Sequence, residues 1–166
     1  MSAVMSDVPV SSALDAISLL SADHDKARSL FEQYRRLKDS GTAEEKFELA
    51  KQVCGDLLIH IAIEEAIFYP PVRKAISEKD LVEEGEEEHE EAKELIRQLG
   101  NIDPASPEFD EKMQKLFEGI AHHVEEEEQE MFPKVRASPL DLQSIGKELM
   151  QAKNEMRTRL GLPPEA

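Results

Sequence analysis

His60 and Glu64 stand four residues apart in Leu57-Leu58-Ile59-His60-Ile61-Ala62-Ile63-Glu64-Glu65-Ala66-Ile67-Phe68-Tyr69-Pro70, a run that is otherwise almost wholly apolar. On a helix this spacing stacks the two side chains on one face, a turn apart, so both reach for a common point. Buried imidazole and carboxylate are costly unless they are paired, hydrogen-bonded or bound to a cation. The pattern returns as His123-Val124-Glu125-Glu126-Glu127, and in both cases a proline, Pro70 or Pro133, follows the histidine by ten residues. A lone histidine precedes each pair. His24-Asp25-Lys26-Ala27-Arg28-Ser29-Leu30 reads against His89-Glu90-Glu91-Ala92-Lys93-Glu94-Leu95, with Ala, a basic residue and Leu at matching offsets. The chain is a duplicated helix pair by this reading, each half carrying one lone His and one His-x-x-x-Glu.

A single histidine on an apolar helix face is usually a hydrogen-bonded core residue. Four of them, two with an inward glutamate, are harder to satisfy pairwise than around a cation. Imidazole and carboxylate suit iron, manganese or zinc, whereas Cu(I) or a structural zinc finger would want thiolates, and Cys54 is the only cysteine. Carboxylates offered from opposite helices can bridge two ions. Two octahedral ions offer about twelve positions; four imidazoles, two bridging carboxylates and one oxo or hydroxo bridge leave about two for a small ligand. His123 and Glu127 continue the sevenfold lines Phe109, Leu116 and Met113, Ile120, which points them inward. His122, Glu125 and Glu126 are rotated away, and Glu128 would reach a metal only if the helix turned. The glutamate runs 86–88 and 125–128 otherwise read as solvated faces.

The elements that must position these residues are all helical. Residues 1–11 lack periodicity and are expected to be flexible. From Ser12 the spacing turns helical, and Ser21-Ala22-Asp23 could cap a new start, giving a short helix over 12–20 and a longer one behind it. Asp39-Ser40-Gly41 ends that helix. Thr42-Ala43-Glu44-Glu45 has capping-box spacing and opens a second helix to about Ser77, kinked or restarted at Pro70-Pro71. A third runs from Lys79 to Leu99, a fourth from Ser106-Pro107, and a fifth from Ser138-Pro139 to about Leu160. The expected domain is a metal-binding bundle over 12–137, with 138–166 as a C-terminal helix packed on it.

The remaining composition narrows the function classes. Aromatic residues are 5% and charged residues 34%, a balance suited to long amphipathic helices. A net charge of -16 argues against a nucleic-acid or anionic-membrane surface. No apolar run reaches membrane-spanning length, no basic-then-apolar signal pattern opens the chain, and a lone cysteine suits a reducing compartment, so a cytoplasmic location is expected.

Taken together, Asp23-His24, His60-x-x-x-Glu64, His89 and His123-x-x-x-Glu127 resemble the haemerythrin-like (HHE cation-binding) family over roughly residues 13–136. The resemblance implies an all-α fold, an antiparallel four-helix bundle with the C-terminal helix added. It also implies a non-haem di-iron centre, oxo- or hydroxo-bridged, with manganese or zinc ranking behind iron. The residues it assigns to the metals are His24, His60, Glu64, His89, His123 and Glu127, converging near the open end of the bundle. Family members bind or sense dioxygen, react with peroxide or nitric oxide, or take part in iron homeostasis. Oxygen-carrying haemerythrins have a further histidine where this chain has Lys93, and an aspartate five residues after the last histidine, where this chain has Glu128 as well as Glu127 at four. The expected function is therefore reaction with a small oxidant (O2, peroxide or nitric oxide), possible catalase-like peroxide decomposition included. An apolar wall of Phe31, Ile61, Phe68, Ile120 and Val124 would exclude bulkier substrates. The alternatives are a non-catalytic iron- or oxygen-sensing module and a helical interaction domain with satisfied core histidines.

Overall fold

The computed structural model describes residues 14–165, so the expected flexible segment and the first residues of the expected short helix lie outside the described residues. The elements are helices α1 (Ala16–Lys38), α2 (Ala43–Ile63), α3 (Tyr69–Ala75), α4 (Lys79–Leu99), α5 (Pro107–Glu126), α6 (Phe132–Arg136) and α7 (Leu142–Arg159). Wide π-turns at Glu64–Phe68 and Glu127–Met131 join α2 to α3 and α5 to α6. Among the described residues there is no strand, and no helix is long and apolar enough to cross a membrane.

Local chemistry sets the helix starts. The Thr42 hydroxyl accepts from the Glu45 amide at 3.1 Å while the Glu45 carboxylate takes the Thr42 amide, completing the capping box. Ser106 caps α5 ahead of Pro107, a residue whose missing N–H costs nothing in a first turn. Two starts differ from the expectation. α1 is one helix, capped by Asp15, whose carboxylate accepts from the Ser18 amide at 2.8 Å. Asp23 caps nothing, because its carboxylate is directed across to His60 and Lys153. α7 begins at Leu142 rather than at Ser138, since Asp141 accepts the Ser144 amide and the Ser138 hydroxyl donates back to the Val135 carbonyl. An N-cap of this kind contributes about 1 kcal/mol.

The core falls into two apolar clusters, and their order along the chain gives the topology. One holds Leu30, Phe31, Tyr34, Val53, Leu57, Leu116 and Phe117; the other holds Leu19, Leu20, Phe68, Val72, Val82, Val135 and Leu149. Running along α1, the chain passes the second cluster, then His24, then the first; along α2 the order reverses around His60. α4 repeats the order of α1 around His89, and α5, continued by the second π-turn and α6, that of α2 around His123. Neighbouring helices therefore run antiparallel, as their short connections require. The histidines form a polar layer between the clusters and not at an open end. α3, α6 and α7 cover that end, because the prolines restart the helices and let them continue past the layer. α7 packs on α1, α2 and the first π-turn. At Gly146 a Cβ would collide with the backbone of Leu14 and Ala16, so glycine there permits the close approach of α7 to the start of α1.

Candidate metal centre

His24, His60, Glu64, His89, His123 and Glu127 meet in this layer, all of them 7% exposed or less. Each imidazole turns Nε2 inward. Glu64 Oε2 lies 3.3 Å from His60 Nε2, and its Oε1 lies 3.1 Å from His89 Nε2 and 3.6 Å from His123 Nε2. Glu127 mirrors this, with Oε1 3.3 Å from His24 Nε2 and Oε2 3.2 Å from His123 Nε2. Two donor groups result: His24, His60, Glu64 and Glu127, and then Glu64, His89 and His123, with the donor atoms of each within 4.8 Å of one another. Glu64 belongs to both.

The outward nitrogen of every histidine faces a carboxylate from another helix segment. His60 Nδ1 pairs with Asp23 at 2.9 Å, His89 Nδ1 lies 3.4 Å from Glu65, His123 Nδ1 pairs with Glu88 at 2.9 Å, and His24 Nδ1 with Glu128 at 2.9 Å. The arrangement is cyclic. Each outer acid is a chain neighbour of one central residue and serves a histidine of the next segment: Asp23 beside His24, Glu65 beside Glu64, Glu88 beside His89, Glu128 beside Glu127. A carboxylate on Nδ1 fixes the ring and leaves Nε2 free to donate electrons, the usual support for a metal-bound imidazole. A basic group backs each acid in turn: Lys153 on Asp23, Lys93 on Glu65, His122 on Glu88, and Arg28 on Glu128.

These outer acids are what the sequence reading missed. It treated the runs 86–88 and 125–128 as solvated, whereas Glu88 and Glu128 hold His123 and His24. The available signal was an acid directly beside His24, Glu64, His89 and Glu127. Glu128 does gain from a turn of the helix, but it meets His24 Nδ1 and not the central group. The π-turns supply that rotation. The Tyr69 amide donates to Glu64, and the Phe132 amide to Glu127, in both cases five residues back. Proline would clash with the carbonyl four residues before it, and widening the turn ahead of Pro70 and Pro133 relieves the clash. The extra residue also shifts the register, so that Phe68 is buried and Ile67 only partly so.

Tyr69 adds a hydroxyl. It donates to Glu127 Oε2 at 2.8 Å while its ring stacks on His89 at 5.4 Å. A Cβ at position 85 would lie 2.6 Å from that hydroxyl, so Gly85 makes the room for it. On the other side a narrow cleft leads outward from the histidines, its walls including Ala27, Leu57, Ile61, Ile120 and Val124. Phe31 and Phe68 do not line it; they sit in the two apolar clusters.

The electrostatics fit a cation. His24 Nε2, His60 Nε2, both oxygens of Glu64 and Glu127 Oε1 are buried without a hydrogen-bond partner. Each such atom costs about 1–3 kcal/mol if left unsatisfied, and one shared positive charge relieves several together. Burial opposes charge on His60, but Glu64 and Asp23 outweigh it and hold its pKa up at about 10. His123 is likewise raised against burial, by Glu127, Glu64 and Glu88. Burial pushes Glu64 up, yet the charge on His60 and the close approach of the His123 and His89 imidazoles keep it well below the usual carboxylate range. Cys54 takes no part: burial raises its thiol to about 12.

The family model described as "Hemerythrin HHE cation binding domain" matches residues 15–135. A protein of Nostoc sp. named a DNA nickase is 32% identical over 141 residues, 84% of this chain and 39% of that protein. A haemerythrin-like protein of Schizosaccharomyces pombe is 27% identical over 113 residues, 67% of this chain and 54% of that protein. The chain thus spans about half or less of the curated relatives it matches. The crystal structure of a Hemerythrin HHE cation binding domain-containing protein from Mycobacterium kansasii superposes with a TM-score of 0.72 over 88% of this chain and 89% of that one. At 18% identity the likeness is one of fold.

Proposed function

The chain belongs to the haemerythrin HHE cation-binding family, and from that premise we propose that it is a non-haem di-iron protein reacting with a small oxidant: dioxygen, peroxide or nitric oxide. The observation that carries the reading is the sharing of Glu64 between two buried donor groups. One central ion would leave half of the converging Nε2 atoms without a role. His24, His60, Glu64 and Glu127 would hold one ion, and Glu64, His89 and His123 the other, with Glu127 facing a histidine of each. Iron is favoured over zinc by the family and by hard oxygen donors without a thiolate. When bound, such a pair supplies redox equivalents and coordination positions open to a small ligand.

The protein residues do the rest. Asp23, Glu65, Glu88 and Glu128 lock the rings, so the donors are preorganised and not gathered on binding. Ile61, Ile120 and Val124 give the cleft apolar walls that admit diatomics and peroxide and refuse bulky substrates. Tyr69 holds its proton against Glu127, and burial together with Glu64 and Glu127 keeps the phenol from ionising.

DNA is left out of the reading. The nickase name belongs to a protein of which this chain spans 39%, and a net charge of -16 repels a polyanion. The test is peroxide consumption by iron-loaded protein, with Glu64→Ala as the reference. Consumption that needs both iron and Glu64 is expected. Tight iron binding without consumption would move the assignment to iron or oxygen sensing, and no iron binding at all would end it.

A further inference from the structure

Acidic residues number 36 against 20 basic ones, yet three cations gather at one place. Lys153 and Arg157, a turn apart on α7, are only 7% and 8% exposed, and Lys26 reaches them from α1. All three line the same cleft as His24, His60 and His123, and Lys26 and Glu165 are among its more exposed members, which marks their side as its mouth. Asp23 and Asp56 offset two of the charges: Lys153 pairs with Asp23, and Lys26 and Arg157 with Asp56 at 3.1 and 3.5 Å. The third is met by Glu165. Its Oε1 lies 3.1 Å from Lys26 Nζ and 3.4 Å from Arg157 Nη1, and its Oε2 pairs with Lys153.

Glu165 arrives there because the segment after α7 folds back. The Leu162 amide donates to the Arg157 carbonyl at 2.8 Å, and Arg157 Nε donates to the Pro163 carbonyl at 2.8 Å. Asn154 takes the Glu165 amide at 2.8 Å and donates to its carbonyl at 3.0 Å. The carboxylate is thus a tethered anion on a mostly buried cationic triad. A buried cation is tolerated only against an anion, so a triad relieved of Glu165 calls for another.

We infer that the mouth of the cleft is a binding site for a small inorganic monoanion, which Glu165 fills from within and yields when such a ligand passes toward the histidines. The inference goes beyond the function proposed above. Dioxygen, hydrogen peroxide and nitric oxide are uncharged at neutral pH, so the anion is a further class of ligand, and the site does not depend on the di-iron reading. A tethered competitor lowers apparent affinity by its effective concentration, so removing its charge must tighten binding.

Azide on the whole chain provides the probe. In metal-free protein at constant ionic strength, azide is titrated while the backbone amide resonances of Lys153, Asn154 and Arg157 are followed by NMR. Glu165→Gln keeps the shape of a partly exposed side chain, and its helical circular dichroism should match the wild type. It is expected to bind azide at least about tenfold more tightly than wild type. Adding Lys26→Gln, a half-exposed change, should weaken binding several-fold again. Equal affinity in wild type and Glu165→Gln, or no saturable shift in either, would overturn the inference. Azide binding at the mouth of a protein that takes up no iron would support this site while defeating the di-iron reading. A protein that holds two irons but shows no azide response at these resonances would do the reverse.

Discussion

Glu88→Ala separates an acid that positions a donor from an acid that merely adds charge. Glu88 Oε1 takes His123 Nδ1 at 2.9 Å, and Glu126, on the same surface cluster, contacts His122 at 3.1 Å but no central residue. Removing an outer carboxylate typically lowers metal affinity about 10–100-fold, or about 1.4–2.8 kcal/mol. His123 belongs to the group with Glu64 and His89, so the loss should fall on one of two binding steps. Cobalt(II) titration against a competing chelator, read by absorption, resolves the steps. The expected result is a weakened second step in Glu88→Ala, an unmoved first step, and a Glu126→Ala titration within about twofold of wild type. Equal loss in both variants would show that the outer acids act only through bulk negative charge, and the cyclic arrangement would have no functional meaning.

Further expectations follow from the same geometry. Glu64→Ala removes a donor common to both groups and should abolish both steps, whereas His122→Ala, at a side chain 64% exposed, should change stability by no more than about 0.5 kcal/mol. Gly85→Ala should destabilise by about 1–3 kcal/mol in urea titration by driving Tyr69 off Glu127, and Tyr69→Phe in the same chain should restore part of the loss; no restoration would refute the contact. In metal-free protein the stabilisation from His60 is complete below its unfolded pKa of 6.5 and fades as pH rises toward about 10. That from Glu64, whose folded pKa is depressed, is present above 4.5 and lost as pH falls below it. Stability should therefore peak between about pH 4.5 and 6.5, and a urea midpoint that climbs from pH 6 to 9 would contradict the assignment.

The sequence made the bundle legible because its apolar positions recur at sevens on every helix that lines the core. The six central residues were legible because duplication placed each at a matching offset, and the lines through Leu116 and Ile120 chose His123 and Glu127 from a run of similar residues. The outer acids were not, since an acid beside a central residue of one segment serves a histidine on another, and chain adjacency hides a contact made across the bundle. The π-turns were half visible: the prolines marked a disturbance, but whether the backbone kinks, restarts or widens is decided by where Glu64 and Glu127 must point. Lys153 and Arg157 were invisible for a different reason. Basic residues on an amphipathic helix read as solvent-facing, whereas here they meet Asp23 and Asp56 across the bundle and the folded-back Glu165. The layer's depth also escaped, because nothing local says that α3, α6 and α7 close over it.

Metal stoichiometry tests the central claim most directly. Apo protein loaded anaerobically with iron(II), freed of excess by gel filtration and assayed by mass spectrometry for metal against protein, should carry two irons per chain, and Glu64→Ala none. One iron per chain, or two that survive the loss of Glu64, would contradict a centre built on a shared carboxylate.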